Sequence, residues 1–133
     1  MTHAFSANLF SVLPSAVVAF QLALVAGAPW GALTQGGRVS GVLPAGARFF
    51  ALFSAALLLF FIFLVRARAA PAARYRRAVW GVVAYCALGI VANAATPSAP
   101  ERMLWLPVVF AMYVTSLHVA RRPAAPASEP LAK

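Results

Sequence analysis

The sequence predicts an all-α fold: a four-transmembrane-helix bundle with a long structured outer loop between helices 1 and 2. Three observations carry that reading. Residues 9–26, 49–65, 78–95 and 103–120 are apolar runs without one Asp, Glu, Lys or Arg, and each is about as long as a helix must be to cross the roughly 30 Å hydrocarbon layer of a bilayer. All four runs are apolar on every side, and 133 residues cannot bury four such helices away from water. Finally, the basic residues avoid the runs and collect in two places, Arg66, Arg68, Arg74, Arg76 and Arg77 after the second run and Arg121, Arg122 and Lys133 after the fourth.

That placement explains the net charge of +9 without nucleic acid. Short Lys/Arg-rich loops stay on the cytoplasmic side, and an even number of spans puts both clusters there. The expected localisation is a bacterial inner membrane, multi-pass, with both termini cytoplasmic. The domain reading is one transmembrane unit over residues 1–122 and a disordered cytoplasmic tail over 123–133, rich in Pro and Ala.

The first run is read as a permanent helix. Ala26-Gly27-Ala28 resembles a signal-peptide cleavage site, but residues 1–8 offer no Lys or Arg for a positive n-region, and the run is longer than an ordinary h-region. It carries Pro14 and Gln21. The second run, bulky from Leu57 to Leu64, is expected to face lipid. Along the third run Gly81, Tyr85, Gly89 and Asn93 recur every fourth residue. A stripe holding small residues lets helices approach closely, so this helix is expected to be central. The fourth run has Pro107 early and Thr115, Ser116 and His118 late.

Residues 27–48 stand apart, with six of the chain's eight glycines and also Pro29, Trp30, Gln35 and Pro44. Connections beyond about 12–15 residues usually have a role. Trp30 suits the headgroup level, and Leu43-Pro44 suits an apolar corner dipping onto the bundle. The expectation is a folded cap over the outer mouth. Pro29-Trp30-Gly31, Gly36-Gly37, Leu43-Pro44 and Arg48, followed by Asn93, Ser98, Glu101-Arg102 and Pro107, resemble a family of small uncharacterised four-span bacterial membrane proteins. The resemblance implies the four-helix topology and a shared outer-face constellation, and it brings no activity, substrate or cofactor.

The chemical inventory is short: no Asp, one Cys, two His, and only Glu101 and Glu129 as side-chain carboxylates. Aspartyl proteolysis needs two Asp, thiol oxidation needs paired Cys, and proton-coupled small exporters need a carboxylate in the first helix, where this chain has Gln21. His3 and His118 belong at the cytoplasmic interface without further ligands, so no metal site is expected there. No catalytic residues, metal or cofactor are assigned, and the chain reads away from an enzyme.

Two readings of Glu101 stay open. Ser98-Ala99-Pro100-Glu101 has capping-box spacing, in which each side chain takes the other's backbone N–H. Alternatively Glu101 meets Arg48 or Arg38 at the outer mouth, flanked by Trp30 and Trp105. Gln21 and Asn93 must find partners inside the bundle, either simply linking helices or lining, with Ser54 and Trp105, a polar cavity beneath the cap. The candidate ligand-binding residues are therefore Gln21, Trp30, Arg38, Arg48, Asn93, Glu101 and Trp105. The functional expectation is a non-enzymatic membrane protein binding a lipid headgroup, small ligand or partner at its outer face. The alternative is a small passive transporter or channel subunit. Expected partners are membrane lipids and a second copy or another membrane protein.

Overall fold

The computed structural model describes residues 2–70 and 74–123. It contains four long helices, α1 (His3–Val25), α2 (Ala45–Ala69), α3 (Arg76–Ala95) and α4 (Ala99–Ala120), with two short 3₁₀ turns, Gly31–Leu33 and Gln35–Gly37, between the first pair. Every one of the four is long and apolar enough to cross a membrane. The fold is an all-helical, multi-pass membrane bundle. The tail expected to be disordered lies outside the described residues, apart from Pro123.

Side-chain caps start α1 and α4 ahead of their apolar runs, whereas α2 and α3 begin without one. Thr2 accepts the Phe5 N–H (3.2 Å) at the start of α1, six residues before the run begins. The other end of α1 closes with Gly27 at φ 102, while the Gly27 and Ala28 amides return to the Leu24 and Ala23 carbonyls. Glycine tolerates this left-handed position, and both carbonyls are satisfied. Ser98 accepts the Glu101 N–H (3.3 Å) and opens α4.

Packing corrects the expected centre. α1 packs extensively on α2 and α4, α3 leans mainly on α4, and α2 and α3 touch little. The order around the bundle is α2, α1, α4, α3, and α3 is peripheral. Its buried residues Val79, Val82, Val83 and Cys86 repeat at helical spacing, but in its arginine-side half. Of its two glycines, Gly89 lies tight against Val109, whereas a side chain at Gly81 would meet nothing. One stripe thus serves two environments.

α2 is amphipathic by size rather than polarity. Ala51, Ala55, Leu58, Phe61, Leu64, Val65 and Arg68 are buried, while Phe49, Phe50, Phe53, Leu59, Phe60 and Phe63 are exposed. Only one face therefore meets lipid, which narrows the expectation for this helix. Phe10, Val18, Leu58, Phe61, Val82, Cys86, Met112 and Val119 belong to one continuous apolar core. A smaller cluster, Leu24, Leu43 and Ala51, lies under the cap.

Candidate functional site

The loop folds into a cap because its backbone closes on itself and on α4. The Gly31 N–H donates to the Gly41 carbonyl (3.0 Å). At Gly31 a Cβ would lie 2.5 Å from the Val39 carbonyl oxygen, and at Gly37 one would lie 2.8 Å from Ser98. Only glycine fits either position. Gln35, Gly36 and Gly37 all have positive φ, a conformation natural for the glycines and strained for Gln35. The Gln35 amide donates to the Ala47 carbonyl (3.0 Å), linking that turn to α2. Leu43, 1 % exposed, is the apolar corner expected from Leu43-Pro44.

Ser98, Glu101 and Trp105, three and then four residues apart, share one face of α4. Each holds a different backbone group of the cap. Ser98 donates to the Ala32 carbonyl (3.1 Å), the Trp105 indole to the Leu33 carbonyl (2.7 Å), and Glu101 Oε2 accepts the Gly36 N–H (2.9 Å). The same oxygen accepts the Thr96 hydroxyl (3.0 Å).

This overturns two expectations for Glu101. The capping box is half made: Ser98 caps Glu101, but the carboxylate turns to Gly36 and Thr96 instead of the Ser98 amide. The ion pair is not formed either. Arg48 donates through Nε to the Leu43 carbonyl (2.7 Å), fastening the cap's base, and Arg102 donates to the Thr96 carbonyl (2.9 Å). Arg38 is exposed and lines a groove with Glu101 without pairing to it. The physical reason is proximity: the Gly36 N–H lies within reach of Oε2, and a charge-assisted hydrogen bond satisfies that oxygen as well.

Beneath the cap lies a cavity of about 190 Å³, bordered by Gln21, Ser54, Tyr85, Asn93, Glu101 and Trp105, roofed by Thr34 and floored by Leu58 and Met112. Gln21, Ser54, Asn93 and Trp105 do share one hollow, as expected, but Val17, Val108 and Val109 also line it and its surface is more apolar than polar. Gln21 donates to Ser54 (3.4 Å), while Asn93 donates to the Gly89 carbonyl of its own helix (2.8 Å). Neither carbonyl oxygen, nor Glu101 Oε1, accepts a hydrogen bond from the described residues. A wider groove of about 390 Å³, lined by Gln35, Gly36, Arg38, Asn93, Thr96 and Glu101, adjoins it through Asn93 and Glu101, which border both.

Trp30 and Arg48 fall outside both hollows. Trp30, 44 % exposed, stacks on Phe20 (centroids 5.7 Å apart), which meets Trp105 edge-on at 4.8 Å. The expected flanking of Glu101 by two tryptophans thus reduces to Trp105. Sequence reasoning missed Thr34, Thr96 and Tyr85. Thr96 had one legible signal, its place just before the α4 cap.

At the opposite end His3 and His118 stack (centroids 4.6 Å apart), and among the described residues no three possible metal ligands cluster. Arg68, 1 % exposed, donates to the Arg122 carbonyl, and Arg122 returns bonds to the Ala69 and Ala70 carbonyls. This latch also escaped sequence reasoning. The site geometry stands alone, because no family, no curated protein and no solved structure matches the chain.

Proposed function

We propose that this is a non-enzymatic binding protein of a bacterial inner membrane, whose capped outer cavity takes a small polar group. The observation that carries the reading is a cavity edged by spare oxygens of Gln21, Asn93 and Glu101 above an apolar core running through Phe61, Val82, Cys86 and Val65. A passive transporter needs a polar route through the bundle. Below the cavity Ser11 and Thr115 bond to carbonyls of their own helices and Ser116 bonds to the Tyr113 carbonyl and the Cys86 thiol, local contacts that leave that alternative without support. The orientation, cap outward and both termini cytoplasmic, follows from the arginine clusters by the positive-inside tendency. The family resemblance carried by Pro29-Trp30-Gly31 and the later motifs belongs to the same proposal.

Two measurements test it. In oriented vesicles an impermeant thiol reagent should label Gln35→Cys from outside and spare Arg74→Cys. The reverse pattern overturns the orientation. Native mass spectrometry of the purified protein should retain one small ligand or lipid per chain, lost in Asn93→Leu. Equal retention by both proteins removes the cavity reading, as does solute flux through reconstituted vesicles.

A further inference from the structure

Glu101 is the one charge on the inner cavity, and its surroundings indicate what is missing. Its side chain is 9 % exposed. Oε2 is fully engaged with Gly36 and Thr96, and α4's N-terminus lies beneath it, so negative charge is supported there. Oε1 accepts no hydrogen bond from the described residues, and Glu101 borders both hollows. The nearest guanidinium groups are committed elsewhere or exposed: Arg48 to Leu43, Arg102 to Thr96, and Arg38 at the rim of the adjoining groove.

We propose, building on the binding reading above, that the occupant is a protonated primary amine. Its ammonium donates to Glu101 Oε1, Asn93 Oδ1 and Gln21 Oε1. Three N–H groups meet three unfilled acceptors, and the Trp105 and Tyr85 rings border the same space, as aromatic faces suit cations. By the liquid volume of about 30 Å³ per water, 190 Å³ equals about six waters, enough for an ammonium on a two-carbon stem.

Two sources present this group: a free amine, and the ethanolamine headgroup of a zwitterionic phospholipid. The outer groove extends the fit to the second, because Arg38 lies on it where a phosphate would follow the ammonium. The membrane also has a side route. α2 and α3, which border the cavity through Ser54 and Asn93, touch little, and the ring contact of Phe61 with Tyr85 includes one cavity residue.

The test uses the whole chain with Trp30→Phe and Trp80→Phe, leaving Trp105 as the single reporter. Nanodiscs of phosphatidylcholine are compared with discs containing phosphatidylethanolamine, its N-methylated and N,N-dimethylated forms, or phosphatidylglycerol, and with phosphatidylcholine discs given free ethanolamine. The expected result is a saturable Trp105 change with phosphatidylethanolamine that weakens with each methylation, about tenfold across the series. Native mass spectrometry should show matching retention. Glu101→Gln should weaken the primary amine's hold by a similar factor. Arg38→Gln should weaken the lipid and leave free ethanolamine unchanged, and a response to ethanolamine alone assigns the free amine as the source. Because Glu101 also holds the cap, the methylation series on the unaltered site decides if that variant fails to fold. Equal response to all headgroups, or a preference for phosphatidylglycerol or phosphatidylcholine abolished by Asn93→Leu, overturns the amine while leaving a binding cavity. No ligand response and no retained molecule under any condition removes the binding reading with it.

Discussion

The two ends of the bundle each bury a charged side chain, and they use it differently. At the cap end Glu101 accepts from a loop amide and a hydroxyl and keeps one oxygen turned to a cavity. At the other end Arg68 donates to the Arg122 carbonyl while Arg122 grips the last carbonyls of α2, closing the structure on itself. The hollow there, about 210 Å³ between Ala4, Asn8, Arg66 and Ala70, lies on the α1–α2 flank and borders neither α3 nor α4. Each charge takes a backbone partner, Glu101 the Gly36 N–H beside the Thr96 hydroxyl and Arg68 the Arg122 carbonyl. The difference is one of use: Arg68 and Arg122 tie two helix ends together, whereas Glu101 holds the loop and also borders a hollow.

The sharpest way to break this contrast is through the cap's glycines. Gly31→Ala places a methyl against two carbonyl oxygens, at 2.5 and 2.6 Å, and Gly37→Ala adds strain at φ +67 to the clash with Ser98. Each should cost about 2–4 kcal/mol, read as a lower melting temperature in detergent together with loss of ligand retention. An unchanged melting temperature would mean that the cap is not integral to the fold.

Arg68→Met tests the other end, where an orphaned carbonyl and lost packing should cost about 1–3 kcal/mol. Its signature is stability alone. Ligand retention and Trp105 fluorescence should match the parent protein, and the Arg68→Met/Arg122→Met double variant should lose less than the sum of the single losses, since the two share one latch. Altered retention would join the two ends into one device.

Trp105→Phe removes a single bond to the Leu33 carbonyl and keeps the ring against Phe20. About 1 kcal/mol is expected, with Ser98→Ala in the same range through its cap. Chemical denaturation in mixed micelles resolves both. A much larger loss at Trp105 would mean that the indole carries the cap rather than shares it.

The smallest effect has the opposite sign. Gly81→Ala faces open space and should stabilise by about 0.5–1 kcal/mol, because alanine loses less entropy in a helix. The same change at Gly89, whose Cβ would sit 2.9 Å from Val109, should destabilise. If both glycines behave alike, the stripe does not serve two environments.

Much of the cavity was legible in the sequence, for a definite reason. Gln21, Ser54 and Asn93 are polar residues inside apolar runs, and amides in a membrane interior must turn inward, so a shared polar space follows from composition. Glu101 was legible as important and illegible in detail. Its spacing from Ser98 fits a capping box, and its charge fits an arginine, but the partners it takes are the nearby Thr96 hydroxyl and the backbone of Gly36, 65 residues earlier. Local spacing carries no signal for the bond to Gly36. The helix order failed for a related reason: small residues permit close packing, and Gly81 shows that permission need not be used.

By itself the sequence determined the number of spans, their approximate limits and the separation of charge from apolar surface. These follow from the solvent, since a bilayer accepts long apolar helices and rejects isolated charges whatever their neighbours are. The tertiary structure alone decided which faces meet, that α3 lies at the edge, that the loop hangs from Ser98, Glu101 and Trp105, and that Arg68 is enclosed. In lipid an apolar side chain gains little hydrophobic free energy by leaving one greasy neighbour for another. Shape and specific hydrogen bonds therefore choose among many arrangements of comparable hydropathy, and both depend on atoms far apart in the chain.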